Sequence, residues 1–382
     1  MAKKTVAIAG AGIAGFAAAA ALAQHDFDVR IYERSEEPRE FGAGIYLKEN
    51  SLAVLDALGV GGQLAESGVR LRAAMIHDET GRTIVNRTLD KERLLIALRS
   101  ELHSVLRAAA LAAGADLVTG REAASADPSG VLHMSDGEAV KADLVVAADG
   151  VNSRIRESLK LTRLFALLGD GATRVIIPRE EEAYANEYWN GPLRVGVAPC
   201  SADHTYAFII GPERDRRATA LPLDRDYWAE AFPAIASVFK RVGDGDGVHH
   251  QHSIVICKEL AAGRVAVIGD AAHAQPPNFG QGAGLAIDTS WEMAEILAGA
   301  TDIAQGLQTW QDKVRRRVTT VQALTTAYDI AQYKCPKPLA PLRSKLFELL
   351  GSVPTTAHQW EFWWRGGVAA PQPAIPWTEV AG

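Results

Sequence analysis

Two glycine-rich stretches of this chain hold residues of the types, and at the spacings, that grip a nucleotide. In the first, Gly10, Gly12 and Gly15 form GAGIAG directly behind the apolar run Thr5–Ala9. An alanine-rich stretch to Gln24 and a second run, Asp28–Tyr32, then lead to Glu33. Strand, GxGxxG, helix, strand and acid, with roughly twenty residues from glycines to acid, is a dinucleotide-binding arrangement. The first glycine permits the turn, the second lets a pyrophosphate approach, and the third lets helix and strand pack closely. Glu33 can accept hydrogen bonds from ribose hydroxyls. The motif does not choose between FAD and NAD. In the second stretch, four apolar residues, Val265 to Ile268, run into Gly269-Asp270, followed by Pro276-Pro277 and by Gly280, Gly282 and Gly284. This reads as a buried strand, a turn carrying one carboxylate, and a glycine-rich helix opening. Unpaired N–H groups at a helix start suit anionic or polar ligand atoms. Asp270 suits a hydroxyl-rich ligand such as a ribityl chain. Taken alone, the stretch also reads as an ordinary strand-to-helix turn.

Other elements must position these groups. Residues 94–113 have helical periodicity and end at Gly114, a C-cap signal, which puts Arg99 and Arg107 on a helix. Ala115–Thr119 and Val131–Met134 read as strands. Ser135-Asp136-Gly137 signals a hairpin, and Asp143–Ala148 is a buried strand ending in Asp149-Gly150. From about Leu167 to Ser253, short alternating segments predict a mainly antiparallel sheet, a substrate-facing domain inserted between pieces of the first. Most of its aromatics (Tyr184, Tyr188, Trp189, Tyr206, Tyr227, Trp228) suit core or edge packing, with one or two facing substrate. Residues 302–334 read as one long charged helix. Its run Lys313–Arg317 is expected to be a solvated face, with a phosphate site as the alternative. The aromatic knot of the tail, Trp360, Phe362, Trp363 and Trp364, is expected to pack onto the body or onto a second subunit.

The 382 residues suggest two domains or one elaborate one, with 48% hydrophobic residues to supply a core. A net charge of −6 gives no reason to expect nucleic acid or an acidic membrane as partner. No apolar run reaches spanning length, and the N-terminus is not a convincing signal peptide. A cytoplasmic location is the expectation by default. Cys200, Cys257 and Cys335 are scattered, so reduced thiols are expected. No His/Cys cluster has metal-site spacing, so no metal is assigned.

Three separated segments, GAGIAG at 10–15, ADGVNSRIR at 148–156 and GDAAHAQPPNFGQGAG at 269–284, resemble the signatures of the single-component FAD-dependent aromatic hydroxylases. The residues FGAGIYLKENSLAVLDALG at 41–59, the Arg99–Leu106 helix and the block from Arg194 to Tyr206 resemble the family's pyridine-ring oxygenases. The resemblance is to the oxygenase acting on 2-methyl-3-hydroxypyridine-5-carboxylate, and the similarity to 6-hydroxynicotinate hydroxylases is looser. The resemblance implies an α/β fold: a Rossmann-like FAD-binding domain (residues 1–72, 94–165 and 253–300) with an inserted, mainly antiparallel β-sheet substrate domain (73–93 and 166–252). A C-terminal helical region and tail (301–382) follow. It assigns Gly10, Gly12, Ala14, Gly15, Glu33 and Arg34 to the nucleotide end of FAD, and Arg99 to the phosphates and ribityl. Asp149 falls in a motif tied to both FAD and NAD(P)H. Asp270 falls to the ribityl chain, Pro277 beside the flavin ring, and Gly280, Gln281 and Gly282 at its pyrimidine end. For substrate it implies Tyr46, Arg72, Arg194, Tyr206, His249, Pro277 and Phe279. An added arginine at 72 would suit a carboxylate or a longer acidic side chain, while Arg194 reads equally well as an ion-paired arginine.

Nothing in the chain offers a nucleophile–base pair or a metal for activating oxygen, so the flavin must carry the hard step. The resemblance implies reduction by NADH or NADPH as a transient co-substrate, then O2 transfer through C4a-hydroperoxyflavin onto an electron-rich ring. The substrate implied is a hydroxypyridine-type aromatic acid, with decarboxylation or ring opening as possible sequels. Tyr46, Tyr206 or His252 are the candidates to polarise it, and His273 is expected to be structural. A salicylate-type phenolic-acid hydroxylase and a non-catalytic flavin-binding redox sensor are the competing readings. The assembly expected is a monomer or a homodimer.

Overall fold

The computed structural model describes residues 3–38, 40, 43–89 and 93–352, so the aromatic knot of the tail lies outside the described residues. Six strands form the first sheet, in the order Ala261–Ala262, Val265–Val267, Leu144–Ala147, Thr5–Ala9, Asp28–Tyr32, Asp116–Val118. All pair in parallel except the two-residue edge strand Ala261–Ala262. Strands buried on both faces read as continuous apolar runs, and Val6, Ala7, Ile8 and Ala9 are each at most 3% exposed. The alanine-rich Ile13–Gln24 helix is buried nearly all round, because small side chains let it sit close to the sheet and to the helix Gly282–Gly299. Ala9 pairs with Ala147, and Ala147 with Val267. The carboxyl ends of three adjacent strands therefore open side by side, at Gly10, at Ala148-Asp149-Gly150 and at Gly269-Asp270. In open α/β sheets this is the edge where ligands bind.

The helix read over 94–113 is two elements. Leu94–Leu98 is a strand paired with Gly44–Lys48, and the helix starts at Arg99 and ends at Ala112. A short apolar run is ambiguous between helix and strand from periodicity alone, and here tertiary pairing decides.

The second sheet has seven strands: Val248–Cys257, Thr162–Pro178, His204–Pro212, Leu193–Pro199, Tyr184–Asn190, Ala73–His77 and Thr83–Thr88. All pairs are antiparallel except Tyr184–Asn190 with Ala73–His77. Its period-two alternation divides the side chains cleanly. Val175, Ile177, Val195, Val197, Ala207 and Ile209 pack into a core with Trp228 and Phe239. Arg174, Arg194, Tyr206, Phe208 and Ile210 turn to the other face, where the first sheet lies. A one-residue slip in register would exchange the two sets.

The chain closes with the long helix Ile303–Tyr333 and the helix Ala340–Ser352. The basic run Lys313–Arg317 is not simply solvated. Arg317 reaches Asp288 at 3.1 Å and Glu292 at 2.8 Å on the neighbouring helix, and Arg315 reaches Glu259 at 2.9 Å. The last helix is tied to the Ala73–Thr88 hairpin by Arg343 with Glu79 and by Glu348 with Arg82 at 3.2 Å.

Candidate functional site

A cavity of about 930 Å³ lies between the two sheets and runs from the first glycine turn to the C-terminal helix. Its first half is built for a dinucleotide. Gly10 holds φ +102°, and a side chain there would strike the Ala148 carbonyl. A Cβ on Gly15 would strike the Gly10 carbonyl. A Cβ on Gly12 would meet nothing within 4 Å, so the middle glycine borders open space at the start of the Ile13–Gln24 helix. Gly282, at the start of the Gly282–Gly299 helix, borders open space in the same way. Two helix N-termini with no side-chain caps thus present unpaired N–H groups to one cavity. Glu33 ends its strand beside the turn, accepting from the Ala11 N–H at 2.8 Å and the Ser35 N–H at 2.9 Å. Asp149 accepts from the Ile155 N–H at 3.3 Å, and its other oxygen is buried without a partner among the described residues. Asp270 lines the cavity with an exposed carboxylate. Arg99 lines it too, held by Glu40 at 2.6 Å. Open backbone for a pyrophosphate, carboxylates for ribose and ribityl hydroxyls, and an arginine between them fit FAD.

Pro277, Gly280 and Gly282 line the same cavity, as do Gly12 and Ala14. Gln281 is buried behind it, accepting from Asn50 at 3.4 Å, and Arg34 is exposed beyond Glu33. Gly280 has φ +59°, and a side chain there would press on Tyr46. The next strained position is Phe279 at φ +64°. A bulky residue in that left-handed region costs on the order of 1–3 kcal/mol. The bend sets its ring edge-on to Tyr328, 5.0 Å away.

The second half of the cavity is the ring and substituent space. Tyr46, Arg194, Tyr206, Pro277 and Phe279 come together there. Burial pushes the Tyr46 phenol well above its ordinary value. Burial also raises Tyr206, against the pull of Arg174 and Arg99. Both stay protonated near neutral pH and can donate hydrogen bonds, but they make poor bases. Arg194 is 2% exposed and already matched. Its Nε lies 3.0 Å from Glu187 Oε1, an ion pair without hydrogen-bond alignment, and its Nη1 donates to Asn278 at 2.5 Å. Asn278 donates in turn to the Thr325 carbonyl at 2.9 Å and to Asp329 at 3.1 Å.

Three expected site residues lie elsewhere. His252 is 4% exposed, 2.8 Å from Asp170 through Nδ1, and does not line the cavity. His249 is taken up by Thr173 at 2.9 Å and Glu213 at 2.9 Å. Arg72 is largely exposed, paired with Glu182 at 3.5 Å and resting 5.2 Å over the Tyr184 ring. Alternation turns His249, paired with Thr173, to the face opposite Arg174; His252 lies further along the same edge strand, where Asp170 takes it up; and Arg72 sits in the bend before Ala73–His77. Asp170, His252 and Asp329 are buried close enough together to hold a cation. The imidazole already satisfies one carboxylate, and Arg194 lies nearby as a further balancing charge. His273 is buried away from the cavity, where desolvation lowers its pKa.

The sequence reading missed Arg174, Glu187, Phe208, Tyr328 and Phe347, all of which line the cavity. Each looks like an ordinary member of an alternating strand or a helix face. The detectable signal was parity: Arg174, Phe208 and Tyr206 occupy the face opposite to the apolar core positions.

Fold and site together define a flavin-binding enzyme with an aromatic-lined pocket at the ring end of its cofactor. Residues 3–325 match the FAD-binding-domain family. A 2-heptyl-3-hydroxy-4(1H)-quinolone synthase from Mycobacteroides abscessus is 33% identical over 332 residues, 84% of this chain and 88% of that one. A 6-hydroxynicotinate 3-monooxygenase from Bordetella bronchiseptica is 26% identical over 85% of this chain and 91% of its own length. The solved tetrameric form of 2-methyl-3-hydroxypyridine-5-carboxylic acid oxygenase superposes with a TM-score of 0.82 at 30% identity, covering 91% of this chain and 97% of that one. The chain belongs to the FAD-binding-domain family and is an FAD-dependent aromatic monooxygenase. Among the described residues, no helix is long and apolar enough to cross a membrane.

Proposed function

We propose that this enzyme hydroxylates an N-heteroaromatic ring carrying an oxygen substituent and an apolar substituent, with NAD(P)H and O2 as co-substrates. The observation that carries this is the make-up of the ring site. Two neutral phenols, Tyr46 and Tyr206, and the Arg174 guanidinium share it with the apolar side chains Ile76, Ile84, Phe279, Tyr328 and Phe347. FAD, when bound, would supply the reductive activation of O2, from which the transferred oxygen atom comes. The residues do the rest. Arg174 stabilises negative charge drawn onto the oxygen substituent of the ring, and Tyr206 beside it can donate to the same atom. Phe279, Tyr328 and Phe347 exclude water.

The substrate need not be an acid. A carboxylate at Arg194 would have to displace Glu187 from a buried ion pair, which is costly in a water-poor site. The ring class is supported by relatives named for a quinolone and for hydroxypyridine acids. The word heptyl in the first name describes a substituent that the apolar end of the cavity would hold. A phenolic acid is the second reading, favoured because Arg174 has no carboxylate partner among the described residues. The test is turnover by the holoenzyme of alkylquinolones, hydroxypyridine acids and hydroxybenzoates, scored by NAD(P)H oxidation and product mass. Hydroxylated product from the N-heteroaromatic rings is expected. Product from benzenoid phenols alone would overturn the reading in favour of the second.

A further inference from the structure

Glu187 is a carboxylate whose two oxygens are treated unequally. Oε1 accepts from Trp189 Nε1 at 2.6 Å and from the Tyr328 hydroxyl at 2.9 Å, and Arg194 Nε stands 3.0 Å from the same atom. No described residue donates to Oε2. The side chain is 18% exposed and lines the cavity, so its second oxygen is neither sealed in protein nor paired. Oε2 is thus the oxygen left open to a ligand, and a ligand that strips water from it without offering a donor would leave it desolvated, at on the order of 1–3 kcal/mol.

Strand register says where that donor must sit. Glu187 pairs with Gly196, Gly196 with Phe208, and Phe208 with Arg174. Cross-strand partners share a face, so Glu187 and Arg174 end one row across the sheet, three strand spacings apart, about 14 Å at ~4.8 Å each. The row between them is floored by one aromatic ring, because its second member is a glycine. A Cβ on Gly196 would collide with the Phe208 ring, which lies over that position. A carboxylate at one end and a guanidinium at the other match a flat ring that donates at one edge and accepts at the opposite edge.

We propose that Glu187 Oε2 receives the ring N–H of the substrate while Arg174 faces its oxygen substituent, so that the pocket selects neutral 4-oxo N-heteroaromatics, which carry N–H and C=O on opposite edges. This rests on the ring class proposed above and narrows it. Such a ring is a vinylogous amide. Hydrogen bonding at both ends draws electron density from nitrogen toward the carbon beside the carbonyl, the position an electrophilic oxygen would meet. Arg194 is then a positioning residue: it fixes Oε1, and Asn278 fixes Arg194.

The test compares a 2-alkyl-4(1H)-quinolone with the corresponding chromone, where a ring oxygen replaces the N–H without added bulk. Binding to the holoenzyme is read by titration calorimetry. The wild-type protein is expected to bind the quinolone at least ~10-fold more tightly, because a site built around a donor is left unpaired by the analogue that lacks it. In Glu187→Gln, the same two donors, Trp189 and Tyr328, with the Arg194 guanidinium beside them, hold the amide oxygen at the Oε1 position, which turns the amide NH2 toward the cavity. The preference should then vanish or reverse toward the chromone, with FAD content unchanged. Equal binding of the two rings by the wild-type protein overturns the proposal, as does a quinolone preference that survives in Glu187→Gln. Should neither ring bind, the proposal falls too. A clear quinolone preference with no hydroxylated product would leave Glu187 in this role and sink the proposed reaction instead.

Discussion

Two phenols face the ring site, and burial keeps both protonated. The Tyr46 hydroxyl titrates far above the ordinary phenol value of about 10 because desolvation disfavours its anion. Its folded pKa therefore exceeds its unfolded one, and the stability it contributes is present below pH ~10 and lost as pH rises beyond it. Thermal melts between pH 9 and 11 should show the midpoint falling in the wild-type protein and falling less steeply in Tyr46→Phe. An unchanged slope would mean that Tyr46 is already ionised or solvated in the folded state. At this scale the sequence was legible where a motif fixed the residue, as at Gly12, Asp270 and Pro277. It was not legible at Glu187 and Arg174, since a charged residue in an alternating strand is indistinguishable from a solvated one until register is known. His252 shows the converse: a candidate by its place in the sequence, it is taken up by Asp170 in an acid-lined interior.

The paired helices Gly282–Gly299 and Ile303–Tyr333 show what an element can hide. Asp288, 7% exposed, sits between them, and burial pushes its carboxyl up to about 7 despite Arg317 at 3.1 Å. A folded pKa above the unfolded value of ~3.9 means stability fully present below pH ~4 and lost as pH rises to about 7, on the order of 2–4 kcal/mol in all. Denaturant melts at pH 4, 5.5 and 7 should show that decline in the wild-type protein and not in Asp288→Asn. Parallel curves would show that Arg317 keeps Asp288 ionised throughout. The basic run on the second helix could be read from sequence, but its partners lie on a helix that sequence alone could not dock against it. The strand Leu94–Leu98 was read as helix for a related reason: five apolar residues take their conformation from the neighbour they pair with.

At the scale of the molecule, the two-sheet plan was legible because three motifs at distant positions belong to one nucleotide-binding edge. The role of the C-terminal helix was not. Phe347 reaches back to the first inserted hairpin and meets Trp189 at 5.1 Å and Tyr328 at 5.6 Å, closing the apolar end of the cavity. Phe347→Ala should raise the KM for a ring bearing an alkyl chain by roughly tenfold, the worth of one or two lost methylene contacts, and leave the unsubstituted ring nearly unaffected. Equal effects on both rings would place the chain elsewhere.

The order of strands in the first sheet has a consequence for how the protein is made. Its central strand is complete by Ala9, yet the neighbours that finish the nucleotide edge arrive at Leu144–Ala147 and Val265–Val267. A ribosome adding about 5–20 residues per second leaves that edge unfinished for many seconds. During that time the apolar faces of Thr5–Ala9 and Ile13–Gln24 lack their partners from the later part of the chain. The flavin can first be gripped only after the stretch ending at Gly284 has emerged. A nascent chain stalled before that point is thus a client for a chaperone rather than a small flavoprotein.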